Sequence, residues 1–228
     1  MSIKINILTL FPAMFYNFLS ESIPAIAQDK KKMLVNLIDI RDFTSDKNRQ
    51  VDDYPYGGGA GMVIKPEPLA NAIRFVNKGC KPNNVIYFTP QGRLLTQSIV
   101  KEYADNSEIY LLCGHYKEID QRIRNEFVTD EISIGDFVLS GGELPAMVFV
   151  DAVSRLLDGV LNDAESAQTD SHENGLLGCP HYTRPYSFEG EKVPDVLMSG
   201  NHKKIEEWRK LKSMELTRKV RPDILRNK

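Results

Sequence analysis

Apolar positions along this chain fall into short runs separated by amphipathic stretches, and their spacing predicts most of the secondary structure. Residues 3–10 alternate and then saturate with apolar side chains, as a strand covered on both faces would. Pro12 opens a helix carrying Met14, Phe15, Phe18 and Leu19, and residues 34–40 read as a second strand. A helix from Pro66 presents Leu69, Ile73 and Val76 on one face. Strand, helix and strand follow at 85–89, 96–103 and 108–113, then a helix at 119–127 and a last strand at 129–134. Strand alternates with helix throughout, which predicts an α/β layer with a mostly parallel sheet.

The chain is organised around residues 132–155. A β-branched run there passes through a loop with Gly135, Gly141 and Gly142 into a helix placed from Pro145, because proline suits the first helical turn. From 144 to 157 that helix is apolar nearly all round, with Asp151, Ser154 and Arg155 as exceptions, so it is expected inside a core. Three strand ends carry loops with glycine or proline, at 89–92, 113–116 and 134–142. Ligands of open α/β sheets bind beyond the carboxyl ends of strands, so these loops are expected to converge on one site.

After Leu157 the pattern changes. Residues 158–174 are polar, 175–194 are loop-rich with Pro180, Pro185 and Pro194, and 202–218 form a charged helix with Trp208 in apolar register with Ile205 and Leu211. A basic tail, broken at Pro222, follows. The expected organisation is an α/β domain over 1–161, a linker over 162–174 and a small helical domain over 175–228.

Composition sharpens this picture in two places. The formal net charge of −2 gives no global argument for nucleic acid, yet residues 201–228 hold ten Lys and Arg against four acids, leaving −8 for the remainder. A basic segment on an acidic body suggests a polyanionic partner, although a solvated helix face has the same composition. Cys80, Cys113 and Cys179 show no metal or disulfide spacing, so reduced thiols in a cytoplasmic protein are expected. The apolar start of the chain is interrupted by Lys4 and Asn6 and reads as a strand, not a signal peptide. No run of eighteen apolar residues occurs, so no membrane association is expected.

Two nucleotide-binding patterns can be set aside. The glycines at 57, 58, 59 and 61 are followed by Met62 and Val63, where a P-loop needs Lys and Ser or Thr. No G-x-G-x-x-G follows the first strand, which disfavours a Rossmann dehydrogenase or methyltransferase.

Four segments then carry a resemblance: Pro55-Tyr56-Gly57-Gly58-Gly59-Ala60-Gly61-Met62, Pro90-Gln91-Gly92, the run from Ile134 through Gly135, Asp136 and Ser140 to Glu143, and Cys179-Pro180-His181-Tyr182-Thr183-Arg184-Pro185. In this order and spacing they resemble the TrmD family of bacterial tRNA (guanine-N1)-methyltransferases, over essentially the whole chain. The resemblance implies a SPOUT-type α/β fold whose mostly parallel sheet carries a C-terminal deep trefoil knot, and a homodimer whose sites are shared between subunits. It implies S-adenosylmethionine as methyl donor and, as acceptor, N1 of the tRNA guanosine just 3′ of the anticodon, position thirty-seven.

Carried over residue by residue, the resemblance implies a general base at Asp170 and a stabilising cation at Arg155. Read locally, the same residues could be a loop carboxylate or cap and an i,i+4 partner of Asp151. The donor is expected against Tyr87, Phe88, Thr89 and Pro90, against Gly114 and Tyr116, and against Ile134, Gly135, Asp136, Phe137, Val138, Leu139, Gly141 and Gly142. Expected tRNA contacts are Gly58, Gly59, Ser166, His181, Tyr182 and Arg184, with the basic C-terminal helix. Magnesium is a possible requirement by the same resemblance, with no site assigned.

Two departures stand out. Relatives usually read Gly-Arg-Tyr-Glu-Gly-Ile-Asp where this chain has Gly114-His115-Tyr116-Lys117-Glu118-Ile119-Asp120, and Tyr54 stands where an arginine is common. Alternative readings are an enzyme of the same fold acting on another RNA, or a non-catalytic RNA-binding module.

Overall fold

Ile3, Ile5 and Ile7 point to one face of the first strand, β1 (Ile3–Thr9), while Leu8 and Leu10 point to the other, and all five are buried. The same alternation places Ile86 and Phe88 opposite Val85 and Tyr87, and Ile109 and Leu111 opposite Tyr110 and Leu112. Side chains of successive strand residues project to opposite faces, so apolar residues at every position require cover on both sides.

The computed structural model describes residues 2–79, 82–161 and 170–226, which fall into two units, 1–162 and 163–228. In the first unit, β1 pairs with β2 (Met33–Asp39) and β6 (Glu108–Leu112), and β5 (Val85–Leu94) pairs with β6 and β8 (Asp130–Ser133). All four pairings are parallel, in the order β2-β1-β6-β5-β8. On one face lie Ala27 of α2 (Ser22–Asp29), Ile99, Val100 and Tyr103 of α4 (Gln97–Ala104), and Ala146, Phe149, Val150 and Val153 of α6 (Glu143–Ser154). The other face is covered by Leu69 and Ile73 of α3 (Pro66–Val76) and by Ile123 and Phe127 of α5 (Gln121–Phe127). A smaller sheet joins β3 (Asp52–Asp53), β4 (Val63–Ile64) and β7 (Glu118–Ile119).

The structure corrects the sequence expectations at several points. The strand expected to end at residue 89 continues to Leu94: residues 89–92 loop out, so that Ile132 of β8 is opposite both Phe88 and Arg93. Pro90 has no amide to give the ladder, which suits it to such an excursion. The helix predicted from Pro12 is broken into a 3-10 turn, α1 (Tyr16–Ser20) and α2, the last of these not foreseen. Ile119 belongs to β7, so α5 starts at Gln121, with the Asp120 side chain accepting from the Arg122 amide. Helix α6 begins at Glu143 rather than Pro145, with Gly142 as its N-cap. It is also not enclosed all round: Leu144 and Val148 are 50% and 48% exposed, because only one face of the helix reaches the sheet.

In the second unit, a hairpin (Ser187–Phe188 with Glu191–Lys192) precedes a short helix (Asp195–Met198), the long helix His202–Val220 and a final turn of helix (Pro222–Arg226). Trp208 meets Tyr182, with ring centroids 6.3 Å apart, but Leu211 is 55% exposed, contrary to the predicted register. The buried position is Thr217, whose hydroxyl accepts from the Leu177 amide (2.9 Å) and donates to the Ser213 carbonyl (2.7 Å).

Candidate active site

The carboxyl ends of β5, β6 and β8 open onto one cavity of about 360 Å³. Three loops bound it: residues 89–91 looped out from β5, residues 114–118 after β6, and residues 134–142 between β8 and α6. Of the residues expected against the donor, all but Asp136 line it. Asp136 is exposed on the same loop, its side chain outside the cavity wall. Tyr87 and Phe88 are both buried, and the Phe88 ring packs edge-on to Phe149 at 5.9 Å, so it serves the core as well as the wall.

Close backbone approach shapes the cavity floor. The Gly142 amide donates to the Gly114 carbonyl (2.8 Å), and His115 and Gly141 form an isolated antiparallel bridge. A Cβ on Gly142 would lie 2.8 Å from the Cys113 Cα, so a side chain there would force the two loops apart. Tyr116 holds a φ of 60°, a left-handed conformation unusual for an aromatic residue and of the kind that gathers at binding sites.

An ionic network that sequence reasoning did not assemble lies along one wall. Glu118 accepts hydrogen bonds from the Tyr87 hydroxyl and from Thr89 Oγ1 (3.3 Å), and its Oε1 is 3.6 Å from Arg124 Nη1. Arg124 also forks onto Glu131 through two 2.8 Å bonds and donates to Gln91 (2.8 Å). Burial, reinforced by the Glu118 carboxylate, pushes the Tyr87 hydroxyl above the ordinary tyrosine range, so it remains a donor. The only hint in the sequence was Glu118 itself, one position after Lys117.

A second buried pair supports the loop that leads into α6. Glu143 is 2% exposed, and its Oε1 accepts from Thr9 Oγ1 at 2.8 Å. His115 Nδ1, 3.9 Å from Glu143 Oε2, is buried without a hydrogen-bond partner, while its ring packs on Phe11 at 4.8 Å. Burial, with Glu143 nearby, pushes the Cys113 thiol well above its ordinary value.

The other expected site residues fall in three places. Gly58 and Gly59 sit in the loop between β3 and β4 with φ of 77° and 113°, and the Lys117 side chain lies along Gly59 and Gly61. Arg155 is the exposed C-cap of α6. Asp170, His181, Tyr182 and Arg184 are exposed in the second unit, and Ser166 lies outside the described residues, as do linker residues 162–169. Among the described residues, no group of three His, Cys, Asp or Glu could hold a metal ion, and no helix is long and apolar enough to cross a membrane.

Comparison with known proteins gives the family. Residues 3–227 match the family described as tRNA (Guanine-1)-methyltransferase TrmD. A tRNA (guanine-N(1)-)-methyltransferase of Dehalococcoides mccartyi is 52% identical over 223 residues, 97% of this chain and 90% of that one. Enzymes of the same name from Clostridioides difficile and Anoxybacillus flavithermus are 50% and 53% identical, again over 97% of this chain and over 96% and 91% of theirs. A match spanning the strands, the cavity loops and the C-terminal helix together establishes that the chain belongs to the TrmD family of tRNA (guanine-N1)-methyltransferases.

Proposed function

We propose that this protein transfers a methyl group from S-adenosylmethionine to N1 of the tRNA guanosine just 3′ of the anticodon, acting in the cytoplasm as a homodimer. The observation that carries the reading is the convergence of the three strand-end loops on one cavity in a chain of this family. Its walls suit the donor: Phe137, Leu139 and Pro145 offer apolar surface to a purine, and loop main chain offers partners to its polar edge. The Glu118 carboxylate faces the same space and suits the cationic end of the donor. With a carboxylate already in the cavity, Lys117 gives little support to a non-catalytic RNA-binding reading.

The donor supplies an electrophilic methyl group on a sulfonium. Guanine N1 carries a proton, and its lone pair is delocalised, so a base must take that proton as the N1–C bond forms and the carbon–sulfur bond breaks. Asp170 is assigned this step and Arg155 the stabilisation of negative charge growing on O6. A base on an exposed turn near the start of the second unit can order around the target nucleotide and exclude water when tRNA binds. Magnesium is assigned no residue and no step.

Homodimerisation draws support from α6, whose open face presents Leu144 and Val148, and from the neighbouring Phe137 and Val138, 53% and 85% exposed. A SPOUT-type knot is consistent with the way the loop 134–142 returns to pair with residues 114 and 115 before α6. The second unit, through His181, Tyr182, Arg184 and the basic helix His202–Val220, is assigned to tRNA, together with Gly58 and Gly59. Incubating the protein with labelled donor and a tRNA transcript, then mapping the modified nucleotide, tests the proposal. Label on N1 of that guanosine is the expected result. Label elsewhere would transfer the reading to another RNA site, and absence of label with both substrates bound would overturn it.

A further inference from the structure

Few charged side chains line the donor cavity, and one of them is unpaired. Among the described residues, Glu118 is the one carboxylate on its wall and Lys117 the one ammonium, with no arginine. Glu118 is already engaged: Tyr87 and Thr89 donate to it, and Arg124 Nη1 lies 3.6 Å away. His115, the other group that could take a positive charge, turns its Nδ1 toward Glu143 at 3.9 Å. Lys117 differs from both. Among the described residues its ammonium has neither an ion pair nor a hydrogen bond.

That ammonium is nevertheless kept beside the cavity. The Lys117 amide donates to the Met62 carbonyl (3.0 Å), which fixes the root of the side chain. Its stem then runs along the neighbouring loop: a Cβ on Gly61 would lie 3.5 Å from Lys117 Cβ, and one on Gly59 would lie 3.8 Å from Nζ. Consecutive residues of an extended chain project to opposite sides. Lys117 therefore takes the side of the loop and Glu118 the side of β5, and the wall presents a cation and an anion at separate points.

The proposed donor ends in an α-amino acid group, with an ammonium and a carboxylate on one carbon. Glu118 alone would attract the ammonium and repel the carboxylate beside it. A second group of opposite sign offsets that repulsion and makes the wall complementary to both charges. We infer that Lys117 binds the carboxylate of the donor's amino-acid end, so that this chain selects donors carrying both charges. The inference rests on the proposed methyl donor and names a residue that reads it. It also gives a use to the departure at Lys117, where relatives usually carry glutamate.

The test is calorimetry on the full-length protein, without tRNA, using S-adenosylmethionine and its decarboxylated form, in which hydrogen replaces the carboxylate. Lys117→Met, similar in length and uncharged, is expected to raise the Kd for S-adenosylmethionine about 3- to 10-fold; the exposure of Lys117 holds the effect below that of a buried charged hydrogen bond. Wild type should bind the decarboxylated donor more weakly by the same factor. Lys117→Met should bind that donor within about twofold of wild type, because both changes remove one interaction. Lys117→Arg keeps the charge and should stay within about threefold of wild type on S-adenosylmethionine. Glu118→Gln should weaken both donors, since both retain the ammonium. A Lys117→Met variant that binds S-adenosylmethionine like wild type, or that loses equally on the two donors, would overturn the inference. So would a loss confined to tRNA binding with the salt slope reduced by about one, which would assign the ammonium to a phosphate. Failure of the wild type to bind S-adenosylmethionine would remove the proposed reaction and the inference with it, whereas the variant results strike the inference alone.

Discussion

The hydroxyl of Tyr87, the third residue of β5, donates to the carboxylate of Glu118 at the start of β7, joining the central sheet to the small one across the wall of the cavity. Arg124 lies over the same tyrosine ring, its guanidinium carbon 5.5 Å from the centroid. The carboxylate is therefore held in place before any ligand arrives, and a pre-set charge costs little reorganisation when a cation binds. Tyr87→Phe should raise the Kd for the donor about tenfold, the usual worth of a hydrogen bond to a charged group, and Glu118→Gln should raise it at least as far. Calorimetry with S-adenosylmethionine checks both; affinities within twofold of wild type would leave the network a purely structural role.

Thr9 and Glu143 form a comparable tie deeper in the fold, linking the end of β1 to the first residue of α6. Glu143→Ala leaves the Thr9 hydroxyl without its acceptor and opens a cavity, at a cost of about 2–4 kcal/mol. Glu143→Gln keeps an acceptor oxygen in place and should cost less than half as much. Urea unfolding midpoints with unchanged m-values would report the difference.

The proposed chemistry predicts a clean separation of binding from catalysis. Asp170→Asn should reduce single-turnover methyl transfer by about 10²- to 10⁴-fold, the range of general-base contributions, with donor affinity nearly unaltered. Arg155→Ala should lower it by about 10²- to 10³-fold through loss of charge stabilisation at O6. Full activity in the Asp170 variant would remove it as the base.

The open face of α6 predicts the oligomeric state. Leu144→Glu combined with Val148→Glu places two charges where the proposed partner subunit would pack, and desolvating them there is costly. Multi-angle light scattering should show a dimer for the wild type and a monomer for the variant. A wild-type monomer would remove the dimer from the proposal.

Alternation of apolar residues determined a great deal unaided. The five principal strands, the helices at 66, 97 and 202, and the convergence of three strand-end loops were all legible, because a parallel strand must be apolar on both faces and loops at its carboxyl end share one edge of the sheet. The motif pattern named the family, which the match over residues 3–227 bears out. What only the tertiary structure decided are the relations that local pattern does not encode. The loop-out at residues 89–92 depends on the register of β8, and the exposure of Leu144 and Val148 depends on which face of α6 meets the sheet. Arg124 and Glu131 read as ordinary surface charges, and Glu118 only as a carboxylate one position after Lys117, until β5, β7, α5 and β8 bring them around Tyr87. Hydrophobic periodicity reports burial summed over a neighbourhood, whereas a hydrogen bond between residues far apart in sequence depends on where two separate elements come to rest.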